Sequence, residues 1–484
     1  MGLDPGLRRL ALGTLLAAYA GPVPPDWAVD LVAEGLAGHT LFGTNVHDPA
    51  QLAASTAALR VGRADVLIAI DEEGGDVTRL AHATGSPYPG NAALGAIGDV
   101  ALTRRVYQAI GAELAALGIT VNLAPTVDVN TADDNPVIGT RSFGADPVRV
   151  AAHSAAAVAG LQAAGVAACA KHFPGHGATI TDSHHELPTV DVPLDLLRRR
   201  DLPPFAAVIA AGARAVMTAH IRVPALTGSG PATFSRAVLV DLLRTEYGFT
   251  GTVITDALEM KGAAVAAGGV GPAAVRALAA GADLLCIGAQ VDAELVERVV
   301  TEIVDALADG RLDTARVEEA AGRTAALAAW TRSAGAAPAA GETDLGYAAA
   351  RRAVHVDGVL TGLDRPLVVQ LHTESTMAEG RVPWGLGPHL VAAEEIRVIA
   401  AETDAATLRG LAAGRPIVLV GRHLHRLPGG PELVTALAAE HPVTVVEMGW
   451  PAQWRPAGVR AFVTTYGASH ANGRAAAEAL GLAG

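Results

Sequence analysis

Short apolar runs that alternate with Ala/Leu/Arg-rich stretches of helical character restrict the fold of this chain more than any other feature. The runs are Leu10–Leu16, His39–Phe42, Val66–Ile70, Ile119–Leu123, Ala167–Ala170, Ala215–Thr218, Thr252–Thr255 and Leu284–Ile287. Continuous apolar segments of this length, bounded by turn residues, read as strands buried on both faces. Strands separated by helices imply a parallel sheet, and eight such units predict a (β/α)8 TIM-type barrel over residues 1–332. All strand C-termini of such a barrel open on one face. Asp71 follows the third run, Lys171 the fifth, His220 the sixth and Asp256 the seventh, so residues far apart in sequence are expected to converge there.

The pattern changes after Leu327. Residues 333–345, rich in Ala, Gly and Pro, read as a linker. Beyond it the runs Leu367–Leu371, Ile396–Ala400, Ile417–Val420, Val443–Val446 and Ala461–Thr464 alternate with helical stretches, which predicts a smaller α/β sandwich over residues 346–484. His423, His425 and Arg426 stand at a strand end in this second part and read as a solvated loop rather than a catalytic set.

Composition narrows the function by exclusion. Half the residues are hydrophobic, enough for large cores, and the net charge of −13 argues against nucleic acid, an anionic membrane surface or a polyanionic substrate as partner. Cys169 and Cys286, the two cysteines, lie in strand-like runs and read as buried thiols rather than a disulfide, as expected of a reducing compartment. Arg8-Arg9 followed by LALGTLLAAYA imitates a signal peptide, but it leads directly into the amphipathic stretch Trp27–Leu36, as the first strand and helix of a barrel would. No run is long enough to cross a bilayer, so a cytoplasmic protein is expected; a monomer is plausible, and the sequence leaves the oligomeric state open.

The chemistry is concentrated in residues 171–188, KHFPGHGATITDSHHELP. Pro174, Gly175 and Gly177 make this a tightly turned loop after a buried strand, the glycines allowing positive φ. Were Asp182-Ser183-His184 extended, residues two apart would point the same way. Asp182 would then accept a hydrogen bond from one nitrogen of His184, favour its imidazolium and leave the other nitrogen for proton transfer. The spacing of His172, His176, His184 and His185 fits no helical ligand pattern, so no metal is expected. Glu186 is a rival proton donor, because a carboxylic acid can serve as a general acid in the same way. Asp256 ends an apolar strand and reads either as a functional carboxylate or as a helix N-cap before Ala257-Leu258. In DEEGG, residues 71–75, the glycine pair suggests that the loop backbone approaches something closely.

KHFPGHG followed by DSH and a proline resembles the signature of glycoside hydrolase family three, in its β-N-acetylglucosaminidase branch. DEEGG, GTRSFGADP at 139–147, MTAH at 217–220 and VITDALEM at 253–260 resemble the family's other blocks, in the family's order, over roughly residues 5–330. The resemblance implies an Asp182 and His184 acid/base dyad and Asp256 as nucleophile. It also implies that Asp71, Arg79, Arg141, Lys171 and His172 bind the sugar; His176 and Phe173 read, on their own, as shaping the loop and Asp128 as structural. No cofactor is implied. Glu72 and Asp76 depart from the Gln and Arg often found in the family. The activity implied is retaining exo-β-N-acetylglucosaminidase action on small glycosides such as cell-wall fragments. Phosphorolysis in the same pocket, a β-glucosidase and a non-catalytic sugar binder are the alternatives.

Overall fold

Strands buried on both faces need apolar side chains at every position, and the eight apolar runs supply them. The computed structural model describes residues 3–184, 186–288, 291–335, 344–391 and 393–483, so His185 and residues 336–343 of the expected linker lie outside the described residues. Two compact units emerge. The first comprises Met1–Glu72, Thr103–Pro136 and Ala145–Gly341, and the second Glu73–Leu102, Val137–Gly144 and Glu342–Gly484.

The first unit is an eight-stranded parallel barrel. Its strands are β1 (Leu15–Ala17), β2 (Gly38–Leu41), β3 (Leu67–Ile70), β4 (Val121–Asn122), β5 (Ala167–Phe173), β6 (Ala215–Thr218), β7 (Thr252–Thr255) and β8 (Leu285–Cys286). They pair in the order β7-β6-β5-β4-β3-β2-β1-β8, and a parallel bridge between Ile254 and Leu284 nearly closes the ring. Alternate strand residues, among them Leu16, Leu67, Ala69, Val121, Cys169, Met217 and Ile254, form one buried cluster sealed by Leu327 and Ala328 of the last barrel helix. Each fully buried Leu, Ile or Val contributes roughly 1.5–3 kcal/mol. Both cysteines are buried free thiols, as expected.

Two local expectations are corrected. Leu10–Leu16 is not one strand: Asp4 caps a helix, Pro5–Leu12, by accepting from the amides of Gly6 (2.8 Å) and Leu7 (3.0 Å), and the strand begins only at Leu15. Asp-Pro is a cap followed by a residue whose missing N–H costs nothing in the first turn. Residues 171–173, expected in the loop, still belong to β5, with Lys171 bridged to Thr126 and Phe173 paired with Thr218 across a register shift.

The second unit contains a six-stranded sheet ordered β11-β10-β12-β13-β14-β9. Its strands are β9 (His355–Gly358), β10 (Leu367–Leu371), β11 (Glu394–Val398), β12 (Ile417–Gly421), β13 (Val443–Glu447) and β14 (Ala461–Thr464). Leu367, Val369 and Leu419 pack one face against Leu408, Leu433 and Leu437, whereas Val368, Val418 and Val420 pack the other against Ala476 and Leu480. That is the predicted sandwich, with one strand the sequence did not reveal. β9 runs antiparallel at the edge, reads HVDG and is exposed throughout, so it carries no apolar signal. Among the described residues no single helix is long and apolar enough to cross a membrane.

Candidate active site

Because β5 extends to Phe173, Lys171 and His172 are placed by sheet geometry. Lys171 Nζ donates to Asp71 Oδ1 at 2.5 Å, with both side chains largely buried, and Asp71 directly follows β3. The pair therefore links the ends of two strands separated by β4. His172 is oriented from beneath. Asp128, fully buried, accepts from His172 Nδ1 at 2.8 Å, from the amide of His172 and from the amide of His176 at 2.7 Å. Burial alone would push the Asp128 carboxyl up, but His172, His176 and these amides hold it below the usual range. An ionised carboxylate only accepts, so Nδ1 of His172 carries the proton toward Asp128.

The loop beyond is steered by its glycines. Gly175 has φ of 122°, and a Cβ there would sit 2.8 Å from Cβ of Asp201. Gly177 does not use the positive φ open to a glycine; its constraint is proximity, because an added Cβ would lie 2.0 Å from the carbonyl oxygen of Val129. Asp182 and His184 do pair, but not along an extended strand. Residues 183–184 form a turn, and Asp182 Oδ1 accepts both the amide of His184 (2.9 Å) and its Nδ1 (2.6 Å). Burial raises the Asp182 carboxyl, yet the hydrogen bonds and charge of His184 outweigh it and bring it to about 2. Nε2 of His184 is thereby turned away from the carboxylate, the arrangement that suits proton exchange with a third group.

Asp256 directly follows β7 and accepts from the amide of Ala257 at 2.8 Å. It is not an N-cap, because the next helix starts at Lys261 and its cap position is Met260. Burial would raise its carboxyl, but His220, His172 and His184 together, with the Ala257 amide, depress it. His220 lies in the MTAH block but was given no role by sequence reasoning. It is buried, and Nε2 donates to Ala257 O at 3.0 Å, next to Asp256. Glu259 was also missed. Burial pushes its carboxyl up, and its Oε2 is enclosed without a hydrogen-bond partner among the described residues. A charged residue one turn past a strand-end aspartate was the available signal. Glu186 is exposed, and its amide donates to Asp182 O at 3.2 Å.

Arg79 and Arg141 belong to the second unit. Arg141 is buried, and its Nε and Nη2 donate to Glu73 at 3.0 and 2.7 Å, a forked pair rather than a surface salt bridge. Arg79 donates to the carbonyl oxygens of Ala378 (2.7 Å) and Glu379 (3.3 Å). Gly74 and Gly75 have φ of 72° and 71°, and the close approach of Gly75 is to the backbone of Gly90. Glu72 is buried in the first unit, its amide donating to Asn122 Oδ1 at 3.0 Å. Asp76 is buried and accepts from Thr140 Oγ1 (2.6 Å), the Ala468 amide (2.7 Å) and Arg422 (3.5 Å), while Arg422 also pairs with Glu379. The stretch after β12 is no solvated loop. Arg422 is buried, and Glu447 accepts the amides of His423, Leu424 and Gly449. Burial pushes the Glu447 carboxyl up to about 7 and the His423 imidazole well down. Among the described residues no group of three or more His, Cys, Asp or Glu side chains is placed to hold a metal ion.

Comparison with known proteins gives a consistent answer. Residues 25–327 match the model of the glycosyl hydrolase family 3 N-terminal domain. The chain is 36% identical over 386 residues to beta-hexosaminidase A of Pseudoalteromonas piscicida, covering 72% of this chain and 64% of that protein. It is 39% identical over 271 residues to beta-hexosaminidase LpqI of Mycobacterium tuberculosis, covering 55% of this chain and 69% of that one. Among solved structures, a family 3 beta-N-acetylglucosaminidase from Paenibacillus sp. str. FPU-7 superposes with a TM-score of 0.88 at 34% identity, over 99% of this chain and 97% of the other.

Proposed function

The chain belongs to glycoside hydrolase family 3, and on that premise we propose that it is a retaining exo-acting β-N-acetylglucosaminidase. The observation that carries the reading is the Asp182 and His184 pair, 2.6 Å apart, in the same unit as a depressed Asp256 at the end of β7. A carboxylate held below its ordinary range is ionised at neutral pH, as a nucleophile must be. In the first displacement Asp256 attacks the anomeric carbon while Nε2 of His184 gives its proton to the departing glycosidic oxygen. In the second, His184 takes a proton from water, which attacks the same carbon and frees Asp256 with net retention. Asp182 stabilises the imidazolium in both. Lys171 and Asp71 together offer donors and an acceptor suited to sugar hydroxyls, and His172, oriented by Asp128, adds a further polar group.

The proposed substrates are small glycosides ending in β-linked N-acetylglucosamine, including cell-wall fragments, and the proposed site of action is the cytoplasm. The names of the hexosaminidase relatives support the sugar. The test is the product released from 4-nitrophenyl β-N-acetylglucosaminide, with and without phosphate, beside the matching β-glucoside. Free N-acetylglucosamine in both conditions is expected. The 1-phosphate appearing with added phosphate would replace hydrolysis by phosphorolysis, preference for the glucoside would overturn the sugar assignment, and no turnover would overturn the enzyme.

A further inference from the structure

Ser183 lies between the two members of the dyad, and its side chain is buried. Its two polar ends are held by different parts of the barrel. Ser183 O accepts the amide of Gly262 at 3.2 Å, from the segment that follows Asp256. Ser183 Oγ meets Nε2 of His176 at 3.3 Å.

The protons of this connection can be assigned. Thr179 Oγ1 donates to His176 O at 3.0 Å, so its hydrogen is committed. With that hydrogen on the carbonyl, His176 Nδ1, 2.7 Å from Thr179 Oγ1, is the donor. Burial pushes this imidazole down to about 4, so it is neutral near pH 7. Its Nε2 then carries no proton and accepts from the Ser183 hydroxyl. Behind His176 its amide is tied to Asp128, and Asn135 Nδ2 donates to its carbonyl oxygen at 3.0 Å.

We infer that His176 and Ser183 are positioning residues of the proton-transfer step: Ser183, its hydroxyl held by His176 Nε2 and its carbonyl oxygen by the Gly262 amide, sets where the dyad turn stands relative to Asp256. Neither residue touches the reacting atoms. His172 and His176 both look to Asp128, so one buried carboxylate aligns the β5 terminus and the start of the dyad loop. The inference rests on His184 being the acid/base.

A leaving-group series separates positioning from bulk stability. N-acetylglucosaminides of 2,4-dinitrophenol, 4-nitrophenol and phenol are compared in kcat/KM, with thermal midpoints recorded, for Ser183→Ala, His176→Asn, His176→Gln and His184→Ala. His176→Asn keeps a donor toward Thr179 but cannot reach Ser183, whereas His176→Gln places an oxygen near the position of Nε2. With proton transfer misaligned, the phenyl glycoside should lose about tenfold in Ser183→Ala and His176→Asn, on the scale of one structural hydrogen bond whose loss is felt in the proton-transfer transition state. The dinitrophenyl glycoside, which needs no proton, should change less than about twofold. Gln should recover part of the loss. If His184→Ala shows the leaving-group dependence but Ser183→Ala and His176→Asn lose equally on all three substrates, the inference is wrong while the acid/base reading stands. If His184→Ala itself lacks that dependence, the acid/base reading falls and the inference with it. Should His176→Asn fail to fold, Ser183→Ala, which removes a single hydroxyl, decides alone.

Discussion

Asp256 and Asp182 are both depressed carboxylates, but for different reasons, and the difference yields separable predictions. Asp256 is held down by three surrounding imidazoles and an amide against the effect of burial, and nothing in the barrel fold requires it. Asp256→Ala should therefore lower kcat by at least about a thousandfold with little loss of thermal stability, since it removes the attacking group. A substantially active, well-folded variant would end the nucleophile assignment. Asp182 is held down mainly by His184 itself. Its carboxylate favours the protonated imidazole, and a general acid works only while protonated. Asp182→Asn should thus move the alkaline limb of kcat toward lower pH and leave the acidic limb in place, and an unchanged alkaline limb would contradict the pairing. The stability sign is opposite. A carboxyl at about 2 when folded and near 3.9 when unfolded contributes above pH 4, and that contribution fades as pH falls toward 2. The D-x-H spacing made the dyad legible in sequence. Its support was not legible, because Asp128 lies far upstream of the histidines it holds and His220 acts through a backbone carbonyl.

At the scale of elements, local chemistry was readable wherever burial on both faces demanded apolar residues, and β6 and β7 match their sequence runs residue for residue. It failed where another force decided. β9 is a polar edge strand, the Asp4 cap converted the start of an apolar run into helix, and Lys171 and His172 stay in β5 because the neighbouring strands continue to pair with it. The dyad loop is instead fixed by close packing, which makes Gly177 a sharp test. A methyl group 2.0 Å from Val129 O cannot fit without moving backbone, so Gly177→Ala should destabilise by about 1–3 kcal/mol and depress turnover of the phenyl glycoside. Gly322, in the helix Thr314–Ser333, has no neighbour within 4 Å of an added Cβ. Gly322→Ala should accordingly stabilise by about 0.5–1 kcal/mol. Paired thermal melts check both signs, and a neutral Gly177→Ala would show that the loop gives way easily.

Across the whole molecule, the composition of the second unit carries the last consequence. Its sheet comes from residues beyond 344, yet Glu73–Leu102 and Val137–Gly144 belong to the same unit, and they bring Asp76, Thr140 and the Arg141 and Glu73 pair. Arg422 is buried between Asp76 and Glu379, Ala468 gives its amide to Asp76, and Asn472 donates to Pro89 O at 3.1 Å. The backbone of Gly346 lies so close to Pro87 that an added Cβ would meet its carbonyl at 2.0 Å. No local pattern announces such partners, because Asp76 and Arg422 are 346 positions apart. Breaking a buried ion pair by removing one member costs about 3–5 kcal/mol, a large part of the roughly 5–15 kcal/mol by which a domain is stable. Residues 344–484 expressed alone should therefore lack a cooperative thermal transition by circular dichroism, although they contain every strand of the sheet. In the full chain, Asp76→Ala should lower the midpoint of the second unit's transition, because it leaves Arg422 with Glu379 alone and strands the Ala468 amide. A fragment that melts cooperatively near the midpoint of the intact chain would show instead that the sheet and its helices suffice, and that the two early stretches only decorate a unit already stable without them.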